Sequence, residues 1–130
     1  MLILATLIIA LLFGGMVLYS FGFAAFLFSA LPHDVARPTI RRAFPLFYLF
    51  VLGTAALASA LIWSSDAISS GLLAIIALSV IPTRQLLMPA INRATDAGNK
   101  TRFVLLHGAS VIITLSHIGL AGNVLARLAG

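Results

Sequence analysis

The last apolar segment of the chain contains the side chains best suited to chemistry. Four polar residues follow one another at intervals of three, four and three: His107, Ser110, Thr114 and His117. This spacing places them along one seam of a helix, and a polar seam at membrane depth faces other helices or a wet cavity because lipid disfavours it. For Ser110 and Thr114 we favour interhelical hydrogen bonds. For the two histidines, a titratable polar track and simple hydrogen bonding both stay open.

We expect His107 to face the interior of the bundle, near the inner membrane surface. Its expected neighbours are the start of the second apolar segment and the end of the third, because Lys100 and Arg102 fix where its own helix begins. His107 would then be available to a ligand as donor, acceptor or cation.

Metal or haem ligation is the least favoured chemistry for these histidines. His107 and His117 are separated by about 15 Å along a helix, which is too far for one metal ion. A pair of His33 and His107 is sterically conceivable, but it lacks the carboxylate support usual in zinc sites. The chain has no cysteine and no glutamate, and its three aspartates fall between apolar runs. We therefore predict no metal and no cofactor.

A second candidate site is a cationic vestibule on the inner side of the membrane. Pro82 is expected to kink the third apolar segment beside Arg84. Phe44 and Pro45, which open the second segment, would lie at the same level. The favoured alternative is that Arg84 extends to lipid phosphates near the end of its helix.

The first basic stretch predicts contact with lipid headgroups. Arg37 and Arg41 are one helical turn apart, and Arg42 follows directly. With Ala36, Ile40 and Phe44 able to face lipid, this stretch is typical of a short interfacial helix on anionic headgroups.

Composition defines the class of protein that must position these residues. Hydrophobic residues make up 62% of the 130-residue chain and charged residues 8%, and mean hydropathy is +1.15. Soluble domains have about 45–50% apolar and 25% charged residues, so a soluble or disordered chain is excluded. The uncharged runs predict four transmembrane helices, at about residues 2–31, 44–63, 67–88 and 103–126.

These helices predict one all-α integral membrane domain over residues 1–130, an antiparallel four-helix bundle. The helices would be joined by loops of about twelve, three and fourteen residues. Small residues recur four positions apart, as in Ala55 and Ser59 or Gly122 and Ala126, which suits close helix packing and homo- or hetero-oligomers. The first and third segments both end in a Leu-Pro or Met-Pro pair followed by basic residues. A duplicated helical hairpin or similar loop chemistry would each explain this.

The basic residues predict the orientation. Seven of the eight Lys and Arg residues fall on one side of the membrane and Arg127 alone on the other. By the positive-inside rule, both termini and the Ser64–Asp66 turn lie outside, with the protein in a bacterial inner (plasma) membrane. The net charge of +5 is interpreted as this orientation signal, and no nucleic acid is expected as a partner.

Several segments resemble the transmembrane protein 205-like family, a group of small four-helix membrane proteins of unknown function. The resemblance rests on Phe28–Pro32, Ala43–Tyr48, Pro82–Met88 and Phe103–Ser110. It implies membrane residence and a four-span fold, but no reaction. Thr114 lies where the family pattern often has asparagine, so a role that needs an amide there is not implied.

The function predicted from the sequence is that of a small polytopic membrane protein. We find no phosphate-binding glycine loop, nucleophile elbow or histidine–carboxylate pair, and do not expect an enzyme. Transport or permeation of a small solute through the polar seam is the first hypothesis. A non-catalytic assembly subunit is the alternative, and a haem- or metal-binding redox protein the third.

Overall fold

The computed structural model describes all 130 residues and contains four long helices. They are α1 (Leu2–Ala30), α2 (His33–Ile62), α3 (Ala67–Asp96) and α4 (Lys100–Ala129). Each helix is long and apolar enough to cross a membrane. The predicted all-helical four-span bundle is thereby confirmed, and the chain has the architecture of an integral membrane protein.

The helices continue well beyond the predicted boundaries. Residues 33–43 form the first turns of α2, and most of the predicted loop 89–102 belongs to α3 and α4. The prediction of a separate interfacial helix around Arg37 is therefore wrong, because this segment is continuous with α2. Pro32 precedes the first turn of α2 in an extended conformation, with φ −57° and ψ 150°. Hydropathy marks only the part of a helix that suits hydrocarbon, so polar turns that project past it were assigned to loops.

The four helices form a ring in which each packs against two antiparallel neighbours. Helix α1 packs against α2 and α4, and α3 packs against the same two helices. Both termini and the turn between α2 and α3 therefore lie at one end of the bundle. A core of 16 buried apolar residues fills the space between the helices.

The two hairpins, α1–α2 and α3–α4, bury residues at the same intervals. Helix α1 buries Ala5, Ile9, Leu12 and Met16, and the buried residues of α3 include Ser69, Leu73, Ile76 and Val80. Helix α2 buries Val51, Ala55 and Ala58, and α4 buries His117, Ala121 and Val124. This common layout agrees with the duplicated-hairpin interpretation.

A π-helical segment interrupts α1 and α3 at matching positions. It spans Leu18–Phe23 in α1 and Thr83–Leu87 in α3, in each case after 16 residues of α-helix. In α3 the Met88 N–H donates to the Thr83 carbonyl, five residues back. Pro82 thus marks the start of a widened turn, and such turns are frequent at functional sites.

Candidate functional site

His117 lies inside the bundle and is hydrogen-bonded to a neighbouring helix. Its Nε2 atom is 2.7 Å from the Ser79 Oγ atom of α3. The Thr83 hydroxyl donates to the Ser79 carbonyl at 2.9 Å, and His117 and Thr83 are both buried. We call His117, Ser79 and Thr83 the polar cluster. Either ring tautomer fits, because the serine hydroxyl can donate to Nε2 or accept from it.

The sequence-predicted seam is divided between two faces of α4. His107 is exposed and its ring stacks on Phe103, with centroids 5.3 Å apart, so the prediction that it faces the interior is wrong. Ten residues rotate a helix to about 80° short of three whole turns, which moves His107 away from the buried face that contains His117. Thr114 is half-buried between them.

Ser110 is buried, but its hydrogen bond stays within its own helix. The Ser110 hydroxyl donates to the His107 carbonyl at 2.7 Å, a common arrangement for serine in a helix. It does not make the interhelical bond that we favoured. The seam therefore has a buried histidine, His117, toward the C-terminal end of α4 and an exposed one, His107, toward its N-terminal end. Apolar core residues fill the interior beside it.

Two of the four predicted vestibule residues come together. The Arg84 Nε atom donates to the Pro45 carbonyl at 3.2 Å, which connects α3 to α2, and its Nη1 atom donates to Gln85 Oε1 at 2.8 Å. Phe44 packs edge-on against Tyr19 instead, with centroids 5.8 Å apart, and Pro82 is exposed. The guanidinium of Arg84 thus supports helix packing.

Tyr19 makes an aromatic contact between α1 and α2 that the sequence analysis missed. Its hydroxyl donates to the Ala43 carbonyl at 2.9 Å, and its ring stacks on Phe47 with centroids 4.8 Å apart. A tyrosine inside a long apolar run is the signal that indicates such a partnered position.

The three arginines predicted at the headgroups differ in their partners. Arg41 forms an ion pair with Asp96, with 2.8 Å between Nη2 and Oδ1. Arg37 and Arg42 are exposed. Of the three, Arg37 and Arg42 therefore have no acidic partner within the chain.

Arg127 connects the end of α4 to the turn between α2 and α3. Its Nε atom donates to Ser69 Oγ at 3.0 Å and its Nη2 atom to Asp66 Oδ1 at 3.3 Å. Asp66 also caps α3 by accepting from the Ser69 N–H at 3.0 Å. The hydrogen bonds from Ser69, and then Arg127, lower the pKa of Asp66 from 3.8 to about 2.

The fold and these contacts define a small helical membrane protein in which polar side chains join α3 to α4 through Ser79 and His117, and α3 to α2 through Ser70 and Ser59. The chain belongs to the family described as Domain of unknown function (DUF4149), which matches residues 7–100. No curated protein and no solved structure matches the chain. The matched residues include most of α1 and all of α2 and α3, so Ser79 and Thr83 lie within the match and His117 lies outside it.

Proposed function

We propose that the protein is a non-catalytic membrane subunit that assembles with a further helix bundle along α4. The other helices in the ring cover α4 least: 11% of its apolar window is buried, against 22–33% for the other three helices. Helices in lipid associate through close packing and hydrogen bonds at such uncovered faces.

The observation that supports this proposal is an exposed amide on α4. Ser116, Gly119 and Asn123 are exposed on one line of the helix, opposite its buried face. Asn123 lies one turn, about 6 Å, closer to the membrane centre than Arg127. A polar side chain directed into lipid is costly, whereas a second helix offers it a partner. The small residues beside it permit close approach of two backbones.

Single-cysteine crosslinking tests the proposed interface, since the chain has no cysteine of its own. Gly119→Cys places a thiol at the centre of the exposed line. Leu78→Cys is the matched control, because Leu78 is 67% exposed and lies at a similar distance from the same end of the bundle. The variants are oxidised in native membranes, and crosslinked products are separated without reductant.

We expect a crosslinked product for Gly119→Cys and little for Leu78→Cys. The mass of the product distinguishes a second copy of this chain from another protein. The change Asn123→Leu in the Gly119→Cys background should reduce the product. Equal crosslinking at Gly119 and Leu78 would contradict a specific interface and overturn the proposal.

Permeation of a small solute is the second candidate function, and the polar cluster is the observation that favours it. His117 is a proton-binding side chain in the middle of a membrane-length helix, and a serine on the facing helix bonds to it. The test is proton flux into vesicles that contain the purified protein and a pH-sensitive dye. Flux that is lost in His117→Leu but kept in His107→Leu would support this function, and flux equal to empty vesicles would exclude proton permeation.

The finer assignments of family and location are part of the proposal. The motifs quoted above support the transmembrane protein 205-like resemblance, and the one-sided distribution of basic residues supports a bacterial inner membrane with those residues inside. Fractionation of cells that express the tagged chain tests the location.

A further inference from the structure

An apolar groove lies on the outside of the bundle between α1 and α2. It has a volume of about 680 Å³, and six of its lining residues are Gly15, Gly22, Phe23 and Phe26 from α1 and Leu46 and Phe50 from α2. The widened turn Leu18–Phe23 forms most of the α1 wall. Gly22 has no side chain to fill the space, so the groove stays open between the aromatic rings.

A depression of about 540 Å³ with both polar and apolar lining residues continues this groove toward the basic end of the bundle. Its lining includes Pro38, Thr39 and Arg42 of α2. Leu46 lines both spaces, so they meet at one side chain. Along α2 the surface therefore changes from polar at Arg42 to apolar at Phe50 within about two turns.

The end of the depression next to the groove is positively charged and suits an anion. Arg42 lines it, is exposed, and has no hydrogen-bond or ion-pair partner within the chain. Arg37, also exposed, does not line the depression, and Asp96 forms an ion pair with Arg41. Asp34 lines the far end of the depression, about two turns from Arg42, so Arg42 is the charged lining residue next to the apolar groove.

We infer that this continuous groove binds one anionic phospholipid. The lipid phosphate lies on the Arg42 guanidinium, whose fork of N–H donors suits phosphate oxygens. One acyl chain lies along Gly22 and the aromatic side chains. Along α2 the cationic surface is followed by the apolar wall. A phospholipid in a membrane leaflet has the same order, with the charged headgroup followed by the acyl chain. The groove volume is within the range of about 300–1,000 Å³ usual for ligand sites.

Lipid titration of the purified full-length protein in detergent tests this site. Binding of phosphatidylglycerol is measured by native mass spectrometry, with phosphatidylcholine as the uncharged comparison. Arg42→Gln removes the phosphate contact, and Arg93→Gln is its control, because Arg93 is also exposed at the basic end and lies outside the groove.

A second pair of variants tests the acyl-chain part of the groove. Gly22→Leu fills it, and the new Cβ would contact only the flexible Leu18 side chain, at 3.2 Å. Gly53→Leu is the control, since Gly53 is exposed on α2 outside the groove with no atom near its Cβ position. Circular dichroism verifies that each variant is helical.

We expect Arg42→Gln and Gly22→Leu each to weaken phosphatidylglycerol binding about tenfold, with both controls within about twofold of the wild type. Equal loss in Arg42→Gln and Arg93→Gln would show unspecific attraction to the basic end and overturn the site. Unchanged binding in a folded Gly22→Leu variant would overturn it as well. If Gly22→Leu does not fold, the two arginine variants alone decide.

Discussion

The Nε2 atom of His117 lies 2.7 Å from the Oγ atom of Ser79, and this contact joins α4 to α3 inside the bundle. It is the hydrogen bond between these two helices at their middle, where the surrounding core is apolar. The polar cluster therefore contributes to helix packing whether or not it also binds a ligand.

Removing both partners should reveal the strength of this bond. In a double-mutant cycle of His117→Leu and Ser79→Ala, we expect a coupling free energy of about 0.5–2 kcal/mol, as for other hydrogen bonds between membrane helices. The measurement is reversible unfolding of the purified protein in mixed micelles. His107→Leu with Ser79→Ala is the control cycle and should show no coupling, because His107 is exposed and distant. Zero coupling for the His117 cycle would contradict the contact.

A side chain at Gly15 should destabilise the bundle, whereas a side chain at the neighbouring Gly14 should not. A Cβ at Gly15 would lie 2.8 Å from Cε1 of Phe50, and a Cβ at Gly14 would have no atom within 4 Å. We expect Gly15→Ala to reduce the free energy of unfolding by about 1–3 kcal/mol through overpacking. Gly14→Ala should be neutral or stabilising by up to about 1 kcal/mol. Thermal unfolding of both variants is the measurement, and equal stabilities would show that Phe50 moves aside without cost.

Acid should loosen the end of the bundle that contains both termini. The pKa of Asp66 is lowered from 3.8 to about 2, so the folded state favours the ionised carboxylate. Its contribution to stability is therefore complete above about pH 4 and is lost as the pH falls through about 2. We expect the unfolding temperature of the wild type to fall more steeply across this range than that of Asp66→Asn. Asp34→Asn should keep the steep fall, and a wild-type profile parallel to Asp66→Asn would contradict the assignment.

Thiol labelling tests the orientation in the membrane. Ser65 and Asn99 lie in the turns at opposite ends of the bundle, and the distribution of basic residues predicts that Ser65 is outside. An impermeant reagent added to intact cells should label Ser65→Cys and not Asn99→Cys. Labelling at Asn99 alone would reverse the predicted topology.

Hydropathy was sufficient to predict the four spans, but not their ends or their rotation. The prediction placed the start of the second helix at Phe44, whereas α2 begins at His33, because the intervening arginines are too polar for hydrocarbon yet compatible with a helix. The interval of ten residues between His107 and His117 did not reveal which of them is buried. That depends on the crossing of α4 with its neighbours.

Contacts between distant parts of the chain were beyond sequence reasoning. The pairs Ser79–His117 and Arg41–Asp96 join residues 38 and 55 positions apart. The sequence does mark Ser79 as a candidate interior polar residue, since its hydroxyl lies in a strongly apolar run, one turn before Thr83. Choosing His117 as its partner requires the packing of α3 against α4.

The two hairpins repeat one layout of buried positions but differ in the polarity of the residues at those positions. Val51 of the first hairpin occupies the buried position that corresponds to His117 in the second. Gly15 precedes the widened turn of α1, as Ser79 precedes the widened turn of α3. At this level the bundle thus has apolar groups in the first hairpin and a hydrogen-bonded polar pair in the second. The changes Val51→His and Gly15→Ser would place the same two residue types in the first hairpin. There the Phe50 ring already occupies the space beside Gly15. The first hairpin therefore has no room for a serine at the position that corresponds to Ser79 unless the Phe50 ring moves.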